Sequence, residues 1–331
     1  MDVRGRILVA GVALAAAAVA AAAEEAAAGA RLMALEARVP QENQFPNVRP
    51  EFQQDVARLV DTNLLSSPDD FLRAAGLAND PFRHYRSTRV RYELLLAAAA
   101  LGSRPAAAQL AEAWDALLGS LGRPWRFDFA GVVAARPDLG YLTLDPTPRS
   151  VRDVMRDPAA AVAAAAKAVD NPEVQRLFDA DQGARQDFGK MTEDDMKNIA
   201  AADAVRHRRI REIIEAGGLH TAKDFAHAAM VLQHSPNFAG FELAHELAVC
   251  STLLGDREVG RWLVAASYDR MLESVGHDQR FGTQGEVTAT PAEKPRLALV
   301  DESGICDAER LALGCPTLAA KRADFYAEHP K

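Results

Sequence analysis

The chain has 331 residues, 49% of them hydrophobic and 25% charged, with a formal net charge of -8. That length and apolar content suffice to bury the core of one large domain or of two ordinary ones. An acidic chain without a basic tail lacks the clustered cations that phosphate neutralisation needs, so no nucleic-acid partner is expected.

The chain opens like a secretory signal. Arg4 and Arg6 precede an apolar stretch from Ile7 to Ala23, and Ala21, Ala22 and Ala23 offer small residues for cleavage before Glu24. Residues 1–23 are expected to be a signal peptide and the mature protein to be periplasmic or secreted. The alternative is an uncleaved anchor, and membrane association is expected only in that case; the stretch is short and rich in alanine, a weak span. No cysteine lies near the start to carry a lipid.

From here the chain reads as helix. Ser67, with Asp70 three places on, has the pattern of a capped helix start. The apolar spacing that follows predicts helices with one buried face, and Leu101-Gly102 marks a helix end closed by glycine. The same order returns later. Asp70-Phe71 and Ala74-Ala75 match Asp224-Phe225 and Ala228-Ala229, with Thr221 in place of Ser67. Tyr92-Glu93-Leu94 answers His245-Glu246-Leu247, and Leu101-Gly102 answers Leu254-Gly255. Asp115, Leu118, Gly122 and Arg126-Phe127 answer Asp269, Leu272, Gly276 and Arg280-Phe281. The expected fold is all-α, with two related helical halves arising by internal duplication and arranged as a helical bundle or a short solenoid. Residues 40–170 form a degenerate half and residues 171–331 a second half. The competing explanation is that alanine-rich hairpins look alike through composition alone.

Between the halves, Gly140 to Leu144 is expected to be a short extended piece, and Pro158 to Val169 an alanine-rich helix. Pro291 and Pro295 break the chain before a helical tail. Cys306 and Cys315 either pair in an oxidising compartment or remain free thiols, whereas Cys250 sits in an apolar run as a small buried hydrophobe.

Six of the eight histidines lie between His207 and His277. His220, His227 and His234 are spaced by seven, which spans about 10 Å of helix, too far for two of them to share an ion. His245-Glu246 resembles the start of a zinc-protease helix, but Val249 stands where a second histidine is needed. Glu242 and His245 have Glu-x-x-His spacing, yet Arg89 and Tyr92 stand at the matching places, so no second pair exists. No metal or other cofactor is expected. Neither a Gly-x-Ser-x-Gly turn nor a phosphate-cradling glycine loop is present.

A polar set remains in the second half: Gln233-His234, Asp269-Arg270 and the run from Gln279 to Gln284. In the catalytic reading His234 is an acid or base, Asp269 its partner, and Gln233, Arg270, Gln279, Thr283 and Gln284 bind the ligand, Arg270 through its fork. In the alternative these residues form a buried network that fastens the last helix to the turn. The first half lacks the set: Asn79-Asp80 stands against Gln233-His234, Ala116 follows Asp115, and Phe127-Asp128-Phe129 replaces Phe281-Gly282-Thr283.

The order Gln-His, Asp-Arg and Gln-x-aromatic-Gly-Thr-Gln resembles a bacterial family defined only as domain of unknown function 6624. The likeness covers roughly Asp179 to Gln284, including Asp181-Gln182 with Arg185, and extends to the tail from Ala308 to Ala319. Through it Asp203 joins the ligand-binding candidates. The chain departs from the family at Ser235-Pro236, where Ala-Asp is usual, and at Phe281, where Tyr is usual. The resemblance marks positions without naming a reaction.

Two functions compete. One is a cell-envelope hydrolase or transferase acting on a small or peptide-like substrate. The other is a non-catalytic helical scaffold that binds an envelope protein or ligand, with an exposed apolar patch across both halves and the basic run from Arg206 to Arg211 as a possible contact or as an ordinary solvated face.

Overall fold

In the first half, helices α1 (Pro50–Asp61), α2 (Pro68–Leu77), α3 (Tyr85–Ala100), α4 (Arg104–Ala107) and α5 (Leu110–Ser120) precede α6 (Arg149–Arg156) and α7 (Pro158–Ala165). The second half runs through α8 (Pro172–Gly183), α9 (Glu193–Glu215), α10 (Ala222–Leu232), α11 (Phe238–Leu253) and α12 (Val259–Glu273). Two-residue strands β1 (Gly285–Glu286) and β2 (Arg296–Leu297) pair antiparallel before α13 (Asp307–Ala312) and α14 (Leu318–Glu328). This computed structural model describes residues 30–35, 50–61, 65–79, 84–127, 144–186, 191–286 and 296–328. The fold is all-α. The expected signal peptide, residues 140–143, and the break after β1 with Pro291 and Pro295 lie outside the described residues.

Local chemistry sets the matched helix starts. Ser67 Oγ accepts the Asp70 amide at 3.1 Å while the Asp70 carboxylate accepts the Ser67 amide at 3.2 Å. Thr221 and Asp224 make the same reciprocal pair at 3.2 and 3.3 Å. Both boxes satisfy amides that a helix start leaves without partners. The matched ends close alike: Gly102 and Gly255 take φ of 101° and 107°, a conformation that a Cβ resists.

The central helices depart from the one-faced expectation. From Thr88 to Ala100 α3 is buried all round, and so is α11 from Glu242 to Thr252. The reason is that each half covers the other: α6 packs on α11, α13 packs on α3, and α3 touches α11. Such crossing contacts make a bundle rather than a solenoid, in which units touch only their neighbours.

Each central helix carries a buried glutamate, and the other half supplies its arginine. Arg280 Nε and Nη2 both donate to Glu93 at 2.9 Å. Arg126 Nε and Nη2 donate to Glu246 at 2.8 and 3.2 Å. Tyr268 Oη adds a bond to Glu93 at 3.2 Å, and Trp114 Nε1 adds one to Glu246 at 3.1 Å. Between these clamps the sequence-matched Tyr92 and His245 meet, the Tyr92 hydroxyl donating to His245 Nε2 at 2.8 Å. His245 Nδ1 donates to the Val264 carbonyl at 3.0 Å, and burial pushes the imidazole down to about 3. With both ring nitrogens engaged, His245 is a neutral packing group.

The tail cysteines do not pair: Cys250, Cys306 and Cys315 are buried free thiols. Burial pushes the Cys315 thiol up to about 12 and raises that of Cys306. They are inert by the criterion that the thiolate is the reactive form.

Candidate functional site

The polar residues singled out in the second half fall into two clusters. The first is built on α12 and the turn that follows it. Asp269 is fully buried, and its Oδ1 accepts the amides of Arg280 at 2.7 Å and Phe281 at 3.0 Å. Its Oδ2 accepts the Thr283 amide at 3.0 Å and the Thr283 hydroxyl at 2.7 Å. Burial raises the Asp269 carboxyl despite these bonds. Gln279 Nε2 donates to the Gln284 and Ala298 carbonyls, and its Oε1 accepts the Gln284 amide. Gln284 Nε2 donates to the Ala266 carbonyl and to Thr283 Oγ1.

This arrangement corrects the sequence reading of Asp269. It is not the partner of His234. It ties the chain after α12 into the turn that delivers Arg280 to Glu93, and Gln279, Thr283 and Gln284 complete the knot with hydrogen bonds directed inward. The first half keeps the same device: Asp115 accepts the amides of Arg126 at 2.6 Å and Phe127 at 3.1 Å. The contrast between the halves is therefore smaller than the residue types suggest.

The second cluster gathers around His234, where α8, α9 and the end of α10 meet. Asn171 caps α8, and the helix brings Asp181 inward until its side chain is fully buried. A turn after α8 carries Arg185. On α9, which Thr192 and Asp195 cap reciprocally, Asp203, Arg206 and His207 lie on one face at spacings of three and four. His234 follows the last turn of α10. Its Nδ1 lies 3.0 Å from Asp181 Oδ2. Nε2 has no protein partner among the described residues, and the side chain remains 17% exposed.

Asp181 is held by more than the imidazole. Arg185 Nη1 donates to its Oδ1 at 2.8 Å, Gln182 Nε2 to its Oδ2 at 2.8 Å, and Arg206 Nε lies 3.7 Å away. Arg185 Nη2 and Arg206 Nη2 reach Asp203 at 2.6 and 2.5 Å. Burial pushes the Asp203 carboxyl up, but the hydrogen bonds from Arg206 and Arg185 outweigh it and hold the group below its ordinary range. His207 is turned inward, its Nε2 3.0 Å from the Val231 carbonyl, and burial holds its imidazole below its ordinary value. The basic run is thus not one solvated face: Arg206 and His207 are buried, while Arg209 pairs with Glu173 and Glu212.

Two further candidates remain. Gln233 is buried, its Nε2 against Met230 Sδ and its Oε1 sealed without a partner. Arg270 lies next to Asp269 in sequence but takes no part in its hydrogen bonds; it is half-buried on α12 without an ion pair among the described residues, and burial lowers its guanidinium below the usual arginine range. The structure therefore brings His234 and Asp203 to one region with Asp181, Arg185 and Arg206, and it leaves Asp269, Gln279, Thr283 and Gln284 in another.

The pairing of His234 with Asp181 has no signature in spacing, because the two come from different helices; the family-like positions include Asp181 but give it no partner. A legible signal was the pair of acid–arginine spacings, Asp181 to Arg185 and Asp203 to Arg206, which place opposite charges one helical turn apart.

The remaining histidines are dispersed. His227 stacks on Phe178 with ring centres 3.9 Å apart, and His277 stacks on Tyr85 at 4.4 Å. Among the described residues no group of three or more His, Cys, Asp or Glu side chains is placed to hold a metal ion. A groove of about 910 Å³ runs between α6, α7 and the end of α9, lined by alanines with Arg149, Asp153 and His220, and contains no member of the His234 cluster. No described helix is long and apolar enough to cross a membrane.

The arrangement around His234 can move a proton. A carboxylate fixed at Nδ1 selects the tautomer that leaves Nε2 as acceptor, the disposition a general base requires. The chain matches no protein-family model, no curated protein and no solved structure.

Proposed function

We propose that this protein is an exported hydrolase or transferase in which His234 serves as the acid–base group and Asp181 orients it. The observation that carries the reading is the 3.0 Å contact between His234 Nδ1 and Asp181 Oδ2, with Nε2 left without a protein partner among the described residues. The arginines around Asp181 keep that carboxylate in place when the imidazole changes charge. Export rests on the apolar N-terminal stretch, and membership of the domain-of-unknown-function family on its motifs. The same reading takes the two halves as copies of one duplicated unit, which the matched clamps support.

The test is a screen of the purified chain against chromogenic esters, phosphoesters and peptides, with His234→Ala measured beside it. Any true activity is expected to fall by about 10²–10⁴-fold in that variant, the usual contribution of a positioned acid–base group, and to fall in Asp181→Asn. Turnover undiminished in His234→Ala would overturn the assignment.

A scaffold reading keeps one observation of its own. Leu101 on the first half and Val259 and Trp262 on the second are exposed, and Arg257 and Arg261 donate to the Ala100 carbonyl, bringing these residues together. An apolar patch spanning both halves suits a protein partner. The screen separates the two, because a scaffold shows no turnover that depends on His234.

A further inference from the structure

The fully buried side chain of Asp181 divides its oxygens among several neighbours. Oδ1 accepts Arg185 Nη1 at 2.8 Å. Oδ2 accepts Gln182 Nε2 at 2.8 Å and lies 3.0 Å from His234 Nδ1, which is 3.3 Å from Oδ1. A guanidinium beside a buried carboxylate commonly closes on it as a fork, with two parallel N–H donors on both oxygens. Arg280 does so on Glu93, and Arg126 on Glu246. Neither arginine beside Asp181 does. Arg185 splits its terminal nitrogens, giving Nη1 to Asp181 and Nη2 to Asp203 Oδ2 at 2.6 Å. Arg206 gives Nη2 to Asp203 Oδ1 at 2.5 Å. Its Nε is sealed from solvent without a hydrogen bond, 3.7 Å from Asp181 Oδ1. Asp203 thus draws one terminal nitrogen from each arginine. Burial raises its carboxyl, the two arginines lower it by more, and it stays an anion at neutral pH.

We propose that Asp203 is a positioning residue: by holding a terminal nitrogen of both Arg185 and Arg206 it keeps either fork from closing on Asp181, so that Asp181 Oδ2 stays open to His234 Nδ1. The inference rests on the reading of His234 as the acid–base group and adds the residue that keeps its partner available. It also gives Asp203 a role other than contact with the ligand. Without Asp203, Arg185 can turn its second nitrogen onto Asp181, and Arg206 Nε has only a short distance to close. A carboxylate covered at both oxygens by guanidinium donors no longer fixes the imidazole tautomer, and Nε2 is no longer held as the acceptor.

Nitrogen NMR of the His234 ring in the full chain, assigned by the signals lost in His234→Ala, tests this at about pH 8.5, above the ordinary imidazole range. The parent ring is expected as the Nδ1–H tautomer with Nε2 bare. In Asp203→Asn it is expected to pass mainly to the Nε2–H tautomer. Asp203→Glu, which keeps an anion for both arginines, is expected to retain the parent form. An Asp203→Asn ring still in the Nδ1–H form overturns the proposal. So does a switched ring in Asp203→Glu, the arm that decides if Asp203→Asn does not fold. With a substrate from the screen, kcat should fall about tenfold in Asp203→Asn with KM little changed. A raised KM with kcat unchanged would place Asp203 on the substrate and overturn its positioning role. The underlying acid–base reading fails separately: a tautomer that switches in Asp203→Asn, together with turnover undiminished in His234→Ala, would keep the role of Asp203 and remove that of His234.

Discussion

At the scale of single residues, what separates the two clusters is how their hydrogen bonds are spent. Asp269 has every lone pair committed to the segment from Arg280 to Thr283. Asp269→Ala strands three buried amides and should cost about 3 kcal/mol or more, read as a lowered urea midpoint with unchanged slope. Asp115→Ala, which strands the amides of Arg126 and Phe127, should cost a similar amount. A second residue-level prediction concerns protons. Glu242 is buried 3.6 Å from Arg126 Nε and beside Glu246, and burial first, then Glu246, pushes its carboxyl up to about 8. Burial and the nearby Glu93 push Glu309 up to about 8 as well. A carboxyl raised on folding contributes stability that is present below its ordinary pKa and lost as pH rises through the folded value. The lowered carboxyls of Asp203 and Asp301 act in the acid range, and the lowered histidines act below about pH 6.5. Between about pH 7 and about pH 8.5 the melting temperature should therefore fall, and Glu242→Gln should flatten that fall. A melting temperature that rises across this window would contradict the assignment.

At the scale of elements, the helix starts at Ser67 and Thr221 and the glycine ends at Gly102 and Gly255 were legible because capping is local chemistry: a side chain and an amide three residues apart find each other without help from the rest of the fold. The matched spacing from Asp70 to Phe127 and from Asp224 to Phe281 placed the hairpins for the same reason. The burial of α3 and α11 on every side was not legible, since the covering helices α6 and α13 lie far away in sequence. Nor were the clamps, in which Arg280 crosses to Glu93 and Arg126 to Glu246. The partner of His234 was misassigned on similar grounds. Asp269 lay in a conspicuous motif, whereas Asp181 becomes a partner only when α8 packs on α10. The turn from α10 to α11 carries its own prediction. Gly240 presses on Ser235, so that an added methyl would stand 2.0 Å from Ser235 Cβ. Gly240→Ala should displace the segment that carries His234 and cost about 2 kcal/mol by overpacking. Any turnover that depends on His234 should drop with it. A variant as stable and as active as the parent would show that this turn does not position the histidine.

At the scale of the whole molecule, the reciprocal clamps fasten each half through the other. Arg280→Met removes the bidentate cation of buried Glu93, leaving only Arg89 Nε at 3.8 Å, and should destabilise the chain by about 3 kcal/mol. Glu93→Leu together with Arg280→Met should recover much of that loss, because no charge is then left unpaired. Equal destabilisation by the single and double variants would mean that the pair matters for its shape and not for its charge. The His234 cluster stands outside this fastening. Removing the imidazole leaves Asp181 still bonded to Arg185 and Gln182, so the buried carboxylate keeps its partners. The Asp269 knot thus belongs to the fold, whereas the proposed acid–base role of His234 requires that the fold not depend on it. Thermal unfolding of His234→Ala beside Asp269→Ala tests this division most directly. The expected change is less than about 2 °C for His234→Ala and a fall of about 5 °C or more for Asp269→Ala. A fall for His234→Ala as large as that for Asp269→Ala would contradict it, and would place the histidine among the residues that hold the fold together.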